Sequence, residues 1–191
     1  MKYFSDIVAH LHLRFRAKPL GNAIAPLFKK RQSVLDIGCF DGVLSNYLAE
    51  KLELSVKGVD INIPKSVLIN AKLYDGKKLP FKSNSFDCAM LIDVLHHSEN
   101  PLQLLKEARR VSKKTIVLKD IYSENFFHYL AGILADLSTV FVGMRLPDKY
   151  FSKKEWRALI ISAGLKISYI DYSFKINSID PEKHIIMRLQ K

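Results

Sequence analysis

Five aspartates, three glycines and one pair of histidines carry the chemistry open to this sequence. Asp36 and Asp41 sit in the stretch Val34-Leu35-Asp36-Ile37-Gly38-Cys39-Phe40-Asp41-Gly42. Two glycines around a short turn let a ligand approach the backbone, because glycine has no Cβ in the way. Two carboxylates in the same turn repel a pyrophosphate and suit a ligand carrying an ammonium or a sulfonium. Counting from Gly38, a dinucleotide fingerprint would need glycine at Phe40 and Val43, so that pattern fails. No Gly-Lys-Ser or Gly-Lys-Thr phosphate loop exists. Asp60 lies eighteen residues past Gly42 and ends a second apolar run. A carboxylate there can accept hydrogen bonds from both hydroxyls of a ribose. Further on stand Asp75-Gly76 and then Asp93-Val94-Leu95-His96-His97. A histidine can take a proton at neutral pH, which makes His96 and His97 the candidate bases.

These residues need strands and helices to converge. Val34 to Ile37 reads as a buried strand, and Val43, Leu44, Tyr47, Leu48 and Leu52 recur at helical spacing after the turn. Ser55 to Asp60 is the second strand, followed by a short helical piece from Ile63-Pro64 to Ala71 and a short third strand, Lys72 to Tyr74. Phe86 to Ile92 is an almost unbroken hydrophobic run, as in a buried parallel strand. Alternation of this kind predicts an α/β sheet of seven strands with helices on both faces. Ligands of such sheets bind at the carboxyl ends of the strands. Asp36 to Gly42, Asp60, Asp75 and Asp93 all fall at or just past such ends.

The first stretch resembles motif I of the class I S-adenosylmethionine-dependent methyltransferases, and Asp60 matches their ribose-binding acid. Leu73-Tyr74-Asp75-Gly76-Lys77-Lys78-Leu79-Pro80-Phe81, Ser85-Phe86-Asp87 and Asp93-Val94-Leu95-His96-His97 are similar to the small-molecule, type 11 branch. The likeness covers roughly residues 33 to 120, and it implies a Rossmann-like seven-stranded, mostly parallel sheet with an antiparallel last strand. Phe40 departs from it, standing where the family usually has glycine. The resemblance implies S-adenosylmethionine as cofactor, with S-adenosylhomocysteine as product. It implies a cofactor site of Asp36, Gly38, Cys39, Gly42, Asp60, Ile61, Asp75, Gly76 and Asp93. Asp75 would meet the adenine amino group, Gly76 would let the backbone near the ring, and Asp93 would contact the methionine end.

At 191 residues the chain is expected to form a single domain, with residues 1–32 a helical cap and 121–150 a helical lid. An apolar fraction of 48% is too high for disorder. Two cysteines, Cys39 and Cys88, make neither a disulfide framework nor a zinc site, and the adjacent His96 and His97 lack the spacing of a metal motif. No metal is expected. No signal-peptide pattern opens the sequence, so a cytoplasmic protein is expected. The net charge of +11 admits nucleic acid, an anionic membrane or an acidic substrate.

At the start, Phe4, Ile7, Val8, Leu11 and Phe15 lie on one helical face, with Pro19 and Gly21 expected to interrupt before a short helix from Ala23 to Phe28. This basic amphipathic helix suits the domain surface or peripheral contact with a membrane. Asn100-Pro101 opens a helix through Val111, and Thr115 to Leu118 is strand five. Phe126 to Gly143 is strongly apolar, with only His128 and Asp136 ionisable. A central acid and the need for later strands to return to the sheet exclude a membrane span. The stretch reads as a wall for an apolar acceptor, with His128 and Tyr122 able to reach in. Ser152-Lys153-Lys154-Glu155 is a capping box, and Leu165 to Tyr172 and His184 to Leu189 form the final hairpin. A small-molecule acceptor is the leading partner. RNA is the runner-up, because no Asn-Pro-Pro-Tyr type of motif follows strand four. A silent binding fold is the third reading. Monomer and homodimer stay open.

Overall fold

The computed structural model describes residues 15–140, 146–147, 149–178 and 180–191. The expected helix from Tyr3 lies outside them up to Arg14, as do residues 141–143 of the apolar stretch. Seven strands form one sheet: β1 (Ser33–Ile37), β2 (Ser55–Asp60), β3 (Asn70–Leu73), β4 (Phe86–Ile92), β5 (Ser112–Ile121), β6 (Lys166–Asp171) and β7 (His184–Gln190). Their order is β3-β2-β1-β4-β5-β7-β6. β1 to β5 run parallel, and β7 is antiparallel to both β5 and β6. The chain direction of the crossovers switches between β1 and β4, the place where such sheets open a crevice.

Helices cover both faces. They are α1 (residues 15–24), α2 (Val43–Leu52), α3 (Pro101–Val111), α4 (Phe126–Val140) and α5 (Lys153–Ser162). Alternation along the strands divides the core in two. Leu35, Ile37, Ala89, Leu91, Ile116 and Leu118 pack with Leu105 and Ala108 of α3 and with Trp156 and Ile160 of α5. On the opposite face Val34, Cys88, Met90 and Val117 pack with Leu20 and Ile24 of α1 and Leu48 of α2. Burial on both faces explains why β1 and β4 read as continuous apolar runs.

Local signals place several ends as expected. Asn100 caps α3 through Gln103 N, and Ser152 with Glu155 forms the capping box of α5. Asp87, at the other end of the sheet, ties β4 to β1 by accepting from Ser33 N at 2.9 Å, and it pairs with Lys113. Three expectations fail. The chain between Asp60 and Asn70 contains no helix; Leu68 N donates to Asp41 O, and the Ile69 side chain packs over Gly42, which anchors it to the turn after β1. Pro19 and Gly21 do not interrupt α1. Gly21 lies in the helix because the Tyr47 ring occupies the space a Cβ would need, 2.5 Å away. Strand five runs from Ser112 to Ile121 rather than over four residues, because β7 pairs along it from Thr115 to Ile121.

Candidate active site

The turn after β1 is built around left-handed backbone. Gly38 has φ +82°, Phe40 +45° and Gly42 +72°. A Cβ on Gly38 would lie 2.3 Å from Val94 Cγ2, so glycine there also lets the loops after β1 and β4 close together. Gly38 N and Cys39 N donate to Val59 O at 2.8 and 3.2 Å. The Cys39 thiol fits over Gly58, where a Cβ would approach Sγ to 2.5 Å. Phe40, although not glycine, holds the left-handed conformation. Its N–H donates to Asp60 Oδ2 at 2.7 Å.

Three carboxylates line this turn. Asp36 is buried and accepts from the Ser45 hydroxyl at 2.7 Å. Burial pushes its carboxyl up to about 7, the Ser45 bond opposes this, and the nearby Asp60 and Asp41 add to the rise. Asp60 accepts from Phe40 N and from Asn62 N at 2.9 Å, clamping the loops after β1 and β2 together. Burial raises its carboxyl despite these bonds. A turn lined by three acids, in which Asp60 and Asp41 disfavour the charge of Asp36, is suited to a cationic ligand.

Ile61 is exposed beside Asp60, and a Cβ on Gly76 would lie 3.3 Å from Ile61 Cγ2. Asp75 is exposed, and its Oδ1 accepts from Lys77 N and Lys78 N in a tight turn. Those bonds hold its carboxyl below the usual range. Beyond it, Arg110 clamps the segment by donating to Phe81 O and Leu79 O while paired to Glu107.

Past β4 the site turns strongly ionic. Asp93, at φ +56°, binds Lys119 Nζ at 2.5 Å and Arg16 at 3.3 Å. Burial would raise its carboxyl, but Lys119 and then Arg16 hold it well below the usual range. His96 is buried, with Nδ1 2.5 Å from Asp120 Oδ1 and Nε2 3.6 Å from Asp136 Oδ2. Burial alone would lower its pKa; Asp120, with Asp136 beyond, outweighs that and raises it to about 10. His97 is more exposed, with Nε2 3.9 Å from Asp136 Oδ1. The Tyr150 hydroxyl donates to Asp136 Oδ2. Asp36, Gly38, Cys39, Gly42 and Asp60 therefore meet at one turn, with Ile61 and Gly76 adjacent. Asp93, His96 and His97 form a second group. His128 and Tyr122 do not join it: His128 Nδ1 accepts from Glu124 N, and Tyr122 packs against Tyr172 in the core.

Residues 35–115 match the family profile described as a methyltransferase domain, of type 11. The match covers less than half of the chain and gives residues 35–115 as a methyltransferase domain, of the class that uses S-adenosylmethionine. The mitochondrial ubiquinone biosynthesis O-methyltransferase of Candida albicans is 29% identical over 143 residues, which cover 64% of this chain and 43% of that protein. The chain thus spans less than half the length of that relative. The fold is shared with the methyltransferase from Methanosarcina mazei, at a TM-score of 0.66 and 21% identity over 88% of this chain and 96% of that one. It is shared too with one from Mesorhizobium loti, at a TM-score of 0.67 and 15% identity over 89% and 96%. The carboxylate-lined turn of this methyltransferase domain has the charge to suit the cofactor's cationic methionine end. Sequence reasoning missed Arg16 of α1, Lys119 and Asp120 at the end of β5, and Tyr150, none of which belongs to a quoted motif. Asp136 stood out as the acid in an apolar stretch, but not as the partner of His96.

Proposed function

We propose that this methyltransferase modifies a small, largely apolar acceptor. The observation that carries it is the arrangement of α4. Asp136 ties the helix to His96 and His97, and Gly132 admits the Tyr150 ring against it, where a Cβ would come within 2.7 Å. On its other side Phe127, Leu130, Leu134 and Leu137 stay exposed at helical spacing. We read this apolar helix, fixed beside the strand ends, as a wall of the acceptor site, and an apolar acceptor suits such a wall.

Cofactor binding falls to Asp36, Gly38, Cys39 and Gly42 for the methionine part and Asp60 for the ribose, with Ile61, Asp75 and Gly76 around the adenine. Bound, S-adenosylmethionine supplies a methyl group already activated by positive sulfur. The protein aligns the acceptor and excludes water. Asp93 holds the loop past β4 through Lys119 and Arg16 rather than acting as a free carboxylate. His96, charged between two carboxylates, is a positioning residue and not a base. His97 is the histidine left to meet the acceptor. Among the described residues no helix is long and apolar enough to cross a membrane.

Calorimetric titration with S-adenosylmethionine, with NAD as control, tests the cofactor half. Methyl transfer to a panel of hydroxylated apolar compounds, run beside transfer RNA, tests the acceptor half. Turnover on the small compounds, insensitive to salt, is expected. RNA turnover that falls steeply with salt would replace this reading with an RNA methyltransferase that uses the +11 charge.

A further inference from the structure

His96 and His97 are neighbours in sequence with no third ligand nearby, but the fold supplies one. Asp136 of α4 brings Oδ2 to 3.6 Å from His96 Nε2 and Oδ1 to 3.9 Å from His97 Nε2. One ligand atom from each of the three residues lies within 4.8 Å of the other two. These gaps are too long for hydrogen bonds. They are close to the edge, roughly 3.3 Å, of a tetrahedron whose nitrogen and oxygen corners stand ~2.0–2.1 Å from a central ion.

The surroundings point the same way. His96 Nε2 is buried and has no hydrogen-bond partner among the described residues. The other ring nitrogen, Nδ1, is held by Asp120. Metal-bound histidines use this arrangement, because a carboxylate on the far nitrogen fixes the ring and leaves Nε2 facing the ion. The Tyr150 hydroxyl, donating to Asp136 Oδ2, orients the third ligand in the same manner.

We propose that His96, His97 and Asp136 bind a single divalent transition-metal ion of the zinc class, with Asp120 and Tyr150 holding the ligands. Two imidazoles and one carboxylate favour such ions over magnesium or calcium, which prefer oxygen alone. Three protein ligands leave a coordination position open, as in catalytic rather than structural sites. An acceptor hydroxyl in that position would lose its proton to solvent near neutral pH. That consequence rests on the small-acceptor reading; the site itself does not. In the absence of metal the same groups form a charged histidine between two carboxylates, and the experiment must separate the two states.

The full chain, stripped with a chelator, would be titrated with Zn2+ by calorimetry and with Co2+ by visible absorption. One ion per chain is expected, at micromolar affinity or tighter, with cobalt bands that Zn2+ displaces. His97→Gln and Asp136→Asn, checked as folded by circular dichroism, should each weaken uptake at least about 100-fold. Asp120→Asn should weaken it about 10–100-fold. Asp180→Asn, in the separate cluster with Glu182 and His184, should leave uptake unchanged. Absence of stoichiometric uptake, uptake that survives His97→Gln and Asp136→Asn, or uptake lost in Asp180→Asn would each overturn the site. Uptake is read without any acceptor, so a failed acceptor assay bears on the proposed function alone. Full activity of the metal-free protein would overturn only the catalytic consequence.

Discussion

Replacing Asp60 separates its structural duty from its ligand duty. The carboxylate accepts from Phe40 N at 2.7 Å and from Asn62 N at 2.9 Å, the Ile61 N–H also supports its charge, and a ribose is expected on the same two oxygens. Asp60→Ala removes all of these at once. Asn62 is exposed, so water replaces its lost acceptor; Phe40 is half-buried, and its N–H is left poorly satisfied. An unsatisfied buried donor costs about 1–3 kcal/mol. Removing a buried acid whose ionisation is already disfavoured returns part of that. The net loss of stability should therefore be about 1–2 kcal/mol. The loss in cofactor binding should be larger. Two hydrogen bonds to a charged acceptor are worth about 1.5–3 kcal/mol each, which is roughly a 10²- to 10⁴-fold weaker dissociation constant. Asp60→Asn keeps one good acceptor and should fall between. Urea unfolding and calorimetric titration with S-adenosylmethionine measure the two effects on the same preparations. Binding by Asp60→Ala within threefold of the parent would refute the ribose assignment. An unchanged unfolding midpoint would refute the clamp between the two loops.

Three further outcomes follow from the same geometry. Gly38→Ala places a methyl 2.3 Å from Val94 Cγ2 at φ +82°, so it should destabilise the fold by at least about 2 kcal/mol and abolish cofactor binding; adding Val94→Ala should recover the steric part but not the backbone part, as read by melting and calorimetry. Asp36 titrates near 7 in the folded protein, against an ordinary value of 3.8. The folded state therefore favours the neutral acid: its contribution is intact below about pH 4 and is lost as pH rises through about 7. Asp36→Asn should gain on the parent across that window, by up to about 4 kcal/mol at the top of it, and urea midpoints that shift in parallel from pH 4 to 8 would contradict this. Arg110→Lys loses the fork that grips Phe81 O, Leu79 O and Glu107, so amide exchange should quicken across residues 78–82 while the strands keep their protection.

Much of the fold was legible because its signals are local. The run Val34 to Ile37, the glycine turn and the apolar spacing of α2 lie within twenty residues and specify strand, turn and helix in order. Asn100-Pro101 and Ser152 with Glu155 mark helix starts by chemistry that acts over three residues. Local reading failed where tertiary packing overrides propensity. Ile63 to Ala71 has helix-like spacing but no helix. Pro19 and Gly21 look like breaks, yet α1 continues because the Tyr47 ring needs the room Gly21 leaves.

The sequence by itself determined the strands and helices, their order along the chain and the glycine turn after β1, since each depends on neighbours along the chain. Only the tertiary structure decided what surrounds Asp93 and His96. Ile92 pairs with Lys119 across the parallel strands, which sets the Lys119 ammonium against Asp93 and leaves Asp120 to meet His96. α4 then adds Asp136 from forty residues beyond. No periodicity records such contacts. They arise from strand register and helix placement, and these are set by how the whole core packs.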